Sequence, residues 1–543
     1  MRYVIRGPHA GPTLLAAAVA LATVTACSNG SPSGAGSPSS PSSPSPPSAV
    51  SGAPTSAAPT PSPTPTRTYP LSTAPLTVPA VRSHEPARGP GWRPVPEAGV
   101  VVAPGSGALA DEARLLAGEL KIAYRGAVPA RAGDVELALG GKGAAESYTL
   151  TTRDNRVRIT GPDEAGVFYG TRTLKQSVKG SGAMPEGVVE DGPAKPQRGL
   201  QVDTARKHFT AAWIEARLRE MADLKLNQFG LHFTDDQGFR IASDSHPEVV
   251  SADHLSKAEV RRIIALARSL HITVVPEIDS PGHLGAVLRA HPDLQLRSVA
   301  GVPRRGAIDI SKPASARIVD DLLREYAELF PGGWMHLGAD EYQALTVRDP
   351  AASYPQLAQA ARQKYGAQAG IEDLAEGWLN DRAAVVRAAG KTAKAWNDGF
   401  FRGGLVNADS RIEVEYWTGK EIGARTPTGY LAEGRKVVNL NDEYLYYVLG
   451  EPNQFTYPTG RRIYEQWTPL VLRGTTPVPA RYGPQILGGR FAVWCDLSNA
   501  QTQAQVAAGI RMPLTATAQK LWDERKPAMS WAAFQALAAK VRG

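Results

Sequence analysis

Cysteine is nearly absent: Cys27 and Cys495 are the two among 543 residues. That scarcity excludes a disulfide framework, and no Cys/His cluster has zinc-ligand spacing. Cys495 sits in the apolar stretch "FAVWCDL" and reads as a buried small residue rather than a reactive thiol. Long Lys/Arg runs are missing too. The net charge of +8 and the pI near 9.3 come from scattered basic residues. Without a basic stripe or a nucleic-acid motif, no nucleic-acid partner is inferred. The apolar run near the N-terminus is too short for a comfortable membrane span. A glycine-rich phosphate turn is also missing where a doubly wound sheet would carry one, since the first strand of the repeating region runs into "DTARKHF". What remains is 42% hydrophobic and 21% charged, enough to build cores, and long enough for more than one domain.

The N-terminus reads as a processing signal. Arg2 and Arg6 precede the apolar "PTLLAAAVALATVTAC", in the order of a secretory signal. Its end, "VTAC", resembles the bacterial lipoprotein box, which makes Cys27 the lipidated first residue of a mature chain and residues 1–27 the signal. The alternative is an ordinary signal peptide with an incidental cysteine. Residues 28–67 are rich in Ser, Pro, Gly and Thr and nearly free of apolar bulk. Such a segment cannot offset its chain entropy by burial and is expected to be a disordered, semi-rigid tether. The expected location is the outer face of a cell membrane, reached only through the lipid, or the medium.

Residues 68–195 are expected to form a small α+β domain. "GVVVAPG" and "DVELALG" read as strands, and "ESYTLTTRDNRVRITG" as a hairpin with "RDN" at its turn. "ALADEARLLAGELKIAY" and "DEAGVFYGTRTLKQSV" have helical spacing. From residue 196 to 543 strands and helices alternate. The strand candidates are "GLQVDTA", "QFGLHFTD", "ITVVPEID", "WMHLGADE", "TAKAWND", "IEVEYW", "KVVNLND" and "LGGRFAVW". Eight strands alternating with helices predict an α/β fold, a (β/α)8 TIM barrel with insertions.

In that fold active sites lie at the C-terminal strand ends, where Arg206, Asp235, Asp236, Glu277, Asp279, His283, Asp340, Glu341, Trp396, Trp417, Tyr444, Trp494 and Asp496 gather. Acids with tryptophans and without metal ligands point to carbohydrate: carboxylates and Arg meet hydroxyls, and rings stack on C–H faces. The adjacent acids Asp340 and Glu341 end an apolar run, and in a strand they would face opposite sides.

"RGLQVDTARKHF", "LKLNQFGLHFTDDQGFR", "TVVPEIDSPGH", "HLGADE" and "LGGRFAVWCD", in this order over roughly residues 198–520, resemble the family 20 glycoside hydrolases, the β-N-acetylhexosaminidases. The segment "YTLTTRDNRVRITGPDEAGVFYGTRTLKQ" is similar to that family's non-catalytic N-terminal domain. The resemblance implies removal of a terminal β-linked N-acetylhexosamine without a cofactor or metal. The substrate's own 2-acetamido oxygen would attack the anomeric carbon and form an oxazolinium intermediate. It implies Glu341 as general acid and then base, its pKa raised by its neighbour, with Asp340 orienting the acetamido group. Asp235 and His283 would form a relay towards Glu341, and Arg206 would grip sugar hydroxyls. Tyr444 would donate to the acetamido oxygen, Trp396, Trp417 and Trp494 would wall the pocket, and Asp496 would bind distal hydroxyls. Asp236 and Glu277 read as structural partners.

Three positions depart from the family pattern: Gly230 stands for a His, Tyr446 for an Asp or Asn, and Asp496 for a Glu. The last two lie on the far side of the sugar and bear on substrate choice. "NLNDEYLYYVLG" resembles branches that include lacto-N-biosidases, so release of a disaccharide is a second expectation. A third is a non-catalytic sugar-binding lipoprotein, against which the intact acids, Arg206, His283 and Tyr444 count.

Overall fold

The computed structural model describes residues 68–420 and 424–542. The signal segment, Cys27 and the Ser/Pro-rich tether lie outside the described residues. Seven strands come first: β1 (Ser83–Pro86), β2 (Gly99–Val102), β3 (Ala123–Tyr124), β4 (Val135–Leu139), β5 (Tyr148–Arg153), β6 (Arg156–Gly161) and β7 (Gly187–Asp191). They form one mixed sheet in the order β1-β7-β5-β6-β4-β2-β3. Helices α1 (Ala110–Leu120) and α2 (Glu164–Ser181) pack together against it. The β5–β6 hairpin turns on Asp154 and Asn155, with φ of 53° and 55°. Short polar side chains accept that left-handed region, so the "RDN" turn is met. The helix expected to reach Tyr124 stops earlier. Lys121 takes a φ of 57°, ends α1, and lets Ala123 and Tyr124 pair with β2.

All eight expected barrel strands are present. β8 (Gln197–Asp203), α3 (Ala211–Asp223), β9 (Gln228–His232), α4 (Lys257–Ser269), β10 (Thr273–Glu277) and α5 (Gly285–Ala290) open the barrel. A small hairpin, β11 (Gln295–Arg297) and β12 (Pro303–Ile308), and α6 (Pro313–Leu329) lead to β13 (Trp334–His336). Then come α7 (Pro350–Ser353), α8 (Pro355–Tyr365), α9 (Ile371–Ala388), β14 (Thr392–Trp396), β15 (Glu413–Tyr416), α10 (Pro427–Ala432) and β16 (Val437–Asn439). β17 (Tyr446–Val448), α11 (Gly460–Gln466), β18 (Ile486–Trp494), α12 (Gln503–Trp522) and α13 (Trp531–Val541) complete the chain. Every barrel pairing is parallel, and β18 closes the ring by pairing with both β16 and β8. β17 extends the sheet beside the end of β18. Two of the barrel helices start on side-chain caps: Thr210 accepts from the Trp213 N–H, and Ser256 with Glu259 forms a capping box. No described helix is long and apolar enough to cross a membrane.

Branched apolar side chains commonly fill a barrel of this kind. Here much of the interior is polar. Lys394 pairs with Glu413 at 2.8 Å and Glu415 at 3.1 Å, and Arg490 pairs with Glu415 at 3.0 Å. Gln201 donates to Glu277 at 2.6 Å and accepts from Arg490 at 3.0 Å. This network explains Gly230. A Cβ there would lie 1.9 Å from Gln201 Oε1 and 3.0 Å from an Arg490 nitrogen. Gln201 and Arg490 occupy the space that a side chain at 230 would need.

The small domain docks beneath the opposite, N-terminal ends of β8 and β9. Arg198 pairs with Glu146 at 2.7 Å, and the fully buried Lys225 reaches Asp191 at 3.3 Å. Trp522 donates its indole N–H to Asp191 at 3.0 Å. These contacts support the barrel and leave its other mouth free for chemistry.

Candidate active site

Strand register brings Asp203, His232, Glu277 and His336 side by side as the last residues of β8, β9, β10 and β13. His232 bridges two acids, with Nε2 3.0 Å from Asp235 and Nδ1 3.1 Å from Glu277. Burial opposes its charge, but Glu277 and Asp235 outweigh burial and push its pKa up to about 10. Glu277 also accepts from the Trp396 indole at 2.8 Å and lies 3.4 Å from His336. It is the structural partner the sequence suggested. Asp236 is another: it accepts from the Gly285 N–H at 3.0 Å, at the start of α5.

Above this layer Arg206 holds Asp235 at 2.7 Å and Asp203 at 3.0 Å. Asp235 faces His283 Nδ1 at 3.3 Å. The other nitrogen, His283 Nε2, lies 3.5 Å from Asp340 and 3.6 Å from Glu341. The residues expected to form a relay are therefore brought together, and His283 lies beside both acids rather than Glu341 alone.

Asp340 and Glu341 do not diverge by strand alternation. β13 ends at His336, and a tight loop follows, with φ of 69° at Gly338, 78° at Ala339 and 47° at Glu341. At Gly338 a Cβ would stand 1.6 Å from Asp279 Oδ1. Asp279 instead accepts the Ala339 N–H at 3.0 Å and fixes the turn. Asp340 is half-buried, and its Oδ1 has no hydrogen-bond partner among the described residues. Glu341 is exposed at the mouth. Its backbone N–H donates to Asp398 Oδ2 at 3.0 Å, while Asp398 Oδ1 accepts the Trp417 indole at 3.0 Å.

The charge distribution differs from the expected one. Burial would depress His283, but Asp235, Asp340 and Asp279 around it hold its imidazole well above the ordinary value. That imidazole, 3.6 Å away, then holds the Glu341 carboxyl below the usual range. Burial raises Asp340 despite His283. Burial and the Asp340 charge push up both Asp279 and Asp398. In the free protein the raised carboxyl of the adjacent pair is therefore Asp340, not Glu341.

Aromatic rings form one wall. Trp417 stacks on Tyr446 with centroids 5.7 Å apart and planes 6° apart. Tyr446 meets Trp494 at 5.8 Å, and the Arg206 guanidinium lies 5.5 Å over the Trp494 ring. Trp396 is 1% exposed and packs against Trp494 at 5.8 Å, so it supports the wall from below. Asp496 is exposed beside β18, close enough to feel the Arg206 charge. Tyr444 is not brought to this wall. It sits on the turn before β17, its N–H bonded to the Asn441 carbonyl at 3.1 Å and its ring 4.4 Å beneath the Arg462 guanidinium. Strand alternation in β17 turns Tyr446 and Val448 to the pocket aromatics and Tyr447 to Tyr457.

Residues 196–525 match the model of glycosyl hydrolase family 20, catalytic domain, and residues 74–192 match that family's domain 2. The chain belongs to glycosyl hydrolase family 20. Over 488 residues this family 20 chain is 29% identical to a lacto-N-biosidase of Bifidobacterium bifidum, covering 88% of this chain and 42% of that protein. It is 27% identical to a beta-hexosaminidase of Vibrio furnissii, covering 70% of this chain and 66% of the relative. The chain thus spans less than two thirds of either relative. The fold matches the exo beta-N-acetylglucosaminidase of Vibrio harveyi with a TM-score of 0.71 at 21% identity, over 87% of this chain and 77% of that one. A beta-N-acetylhexosaminidase of Streptomyces coelicolor matches with a TM-score of 0.68 at 23% identity, over 86% and 95%.

Two pocket residues of this family 20 chain escape sequence reasoning as site residues. Asp398 had a signal: "TAKAWND" ends in an acid after its tryptophan, much as "HLGADE" ends in acids. Tyr446 is noticed only as a departure, because the chain offers three tyrosines within four positions and their facing depends on where β17 begins.

Proposed function

We propose that this protein is a retaining glycosidase that removes non-reducing terminal β-linked N-acetylhexosamine by substrate-assisted catalysis. The observation that carries the reading is the pair Asp340 and Glu341, disposed about His283 Nε2 at 3.5 and 3.6 Å beside the Trp417, Tyr446 and Trp494 wall. Asp340, whose buried Oδ1 has no described partner, would accept the acetamido N–H. The acetamido oxygen attacks the anomeric carbon as the glycosidic C–O bond breaks, and Glu341 gives its proton to the leaving oxygen. Glu341 then takes a proton from the water that opens the oxazolinium ring. Two displacements at one carbon retain its configuration. This chemistry needs Glu341 protonated and Asp340 ionised, the reverse of the tendency in the free protein. Sugar binding would drive the exchange, because an acetamido N–H stabilises the Asp340 carboxylate and loss of water disfavours a charged Glu341. The near-equal distances from His283 support it as the route.

Tyr446 would donate to the acetamido oxygen, the role that the resemblance gave to Tyr444. Arg206 and Asp496 would hold the hydroxyls farthest from the scissile bond. The 29% identity to a lacto-N-biosidase over 488 residues favours release of a disaccharide as a second reading. The natural substrate would be a chitooligosaccharide or another N-acetylhexosamine-containing glycan, met outside the cell on a chain anchored through Cys27.

The test is release of p-nitrophenol from β-GlcNAc, β-GalNAc and β-lacto-N-bioside conjugates. Turnover of a monosaccharide conjugate is expected; turnover of the lacto-N-bioside alone selects the second reading. Glu341→Gln and Asp340→Asn should each lose roughly 10²-fold or more in kcat. Near-wild-type turnover by Asp340→Asn would overturn the neighbouring-group step.

A further inference from the structure

A second cluster of ligating side chains lies outside the pocket, on the rim that carries His283. His246 and Glu248 sit on the loop after β9, and His291 follows the last residue of α5. His246 Nδ1 and His291 Nε2 both lie 2.9 Å from the same oxygen, Glu248 Oε1. Their rings meet edge to face with centroids 6.2 Å apart. Solvent reaches both imidazoles, whose side chains are 19% and 29% exposed. The other nitrogen of His246 points to Asp321 of α6 at 3.7 Å. No local spacing flags this group, because His291 lies far along the chain from His246.

We propose that His246, Glu248 and His291 bind a divalent transition-metal ion, Zn²⁺ first among them, as a structural staple between the β9 loop and α5. Two imidazoles and one carboxylate are a donor set that zinc takes readily, with water at the fourth position. Tetrahedral bonds of about 2.1 Å place ligand atoms about 3.4 Å apart. The present spacings of 2.9 Å need to open by about half an ångström, and these partly exposed side chains can supply that. The metal replaces two N–H···O hydrogen bonds, and each ring carries its proton on the other nitrogen. For His246 that nitrogen lies 3.7 Å from Asp321, and a small closing of that gap would complete the carboxylate–histidine–metal arrangement that fixes ring orientation. The staple would tighten a joint already held by Asp236, which accepts the Gly285 N–H at 3.0 Å and whose carbonyl accepts from Arg289 at 2.7 Å. His283 immediately precedes that joint, so the ion would steady the rim without entering the pocket. The proposal does not depend on the sugar chemistry.

The test uses the whole chain, purified without a histidine tag, stripped with a chelator and titrated with Zn²⁺ by calorimetry. A parallel Co²⁺ titration reads visible ligand-field bands. Saturable binding of one ion is expected, with a rise in the thermal midpoint. Binding should be lost in His291→Ala and in Glu248→Gln, and weakened about 10- to 100-fold in Asp321→Asn. His283→Ala should still bind, which separates this cluster from Asp279, His283 and Asp340, whose ligand atoms also converge. If His291→Ala does not fold, Glu248→Gln, which keeps the side-chain shape, decides on the same readout. Absence of saturable binding by the wild type, undiminished binding in Glu248→Gln, or loss confined to His283→Ala overturns the proposal.

Discussion

Removing Asp398 tests how Glu341 is aimed. The carboxylate accepts the Glu341 backbone N–H and the Trp417 indole N–H, each at 3.0 Å. One bond fixes the loop that carries the proposed acid; the other fixes an aromatic of the wall. Asp398→Ala deletes both acceptors, and Asp398→Asn keeps one, because its amide nitrogen can only donate. A hydrogen bond contributes about 0.5–1.5 kcal/mol, or about 1.5–3 kcal/mol where one group is charged, so loss of the one that sets Glu341 corresponds to roughly 2- to 150-fold in rate. A displacement near 1 Å at a reacting group has a similar effect, about 10²-fold. Steady-state turnover of p-nitrophenyl β-GlcNAc should therefore show Asp398→Ala down roughly 100-fold in kcat with KM within a few-fold, and Asp398→Asn between it and wild type. Indole fluorescence should report the freed Trp417. A kcat within twofold of wild type in Asp398→Ala would refute the positioning argument. A change confined to KM would instead make Asp398 a substrate contact.

Tyr446→Phe should lower kcat by about tenfold or more, while Tyr444→Phe stays near wild type; the opposite order would restore the role first expected of Tyr444. Gly230→Ala forces Gln201 away from Glu277 and Arg490, and two charge-assisted hydrogen bonds make the loss about 3–6 kcal/mol, readable as a lower urea midpoint. His232, raised to about 10 in the folded chain, contributes stability that is complete below the unfolded value near 6.5 and is lost as pH rises through about 10. Unfolding free energy should therefore fall between pH 7 and 9, and His232→Gln should flatten that fall; an unchanged slope would show that His232 is not the group responsible.

The eight barrel strands were legible because each is a short β-rich run and most are separated by a helical period, and that pattern survives without tertiary contacts. The acids and tryptophans were legible because they end those runs, and parallel strands deliver their ends to one mouth. Facing was harder to read. Tyr444 and Tyr446 share a face in an ideal strand, yet β17 starts only at Tyr446 and the preceding turn bonds the Tyr444 N–H to Asn441. Asp340 and Glu341 were read as strand neighbours, yet the strand ends at His336 and left-handed residues set their directions.

By itself, then, the sequence determined the barrel, the small domain ahead of it and the strand ends that meet at one mouth, since periodicity and motif order are local properties. Only the tertiary structure decided which carboxyl of the adjacent pair is raised and which is lowered, which tyrosine meets the wall and what fills the space beside Gly230. Those outcomes depend on distances between residues remote in the chain: His283 between acids, Asp398 bonded to the Glu341 N–H, and Arg490 with Gln201 against Gly230. Coulomb and desolvation energies vary over a few ångströms, and no spacing along the chain encodes separations of that size.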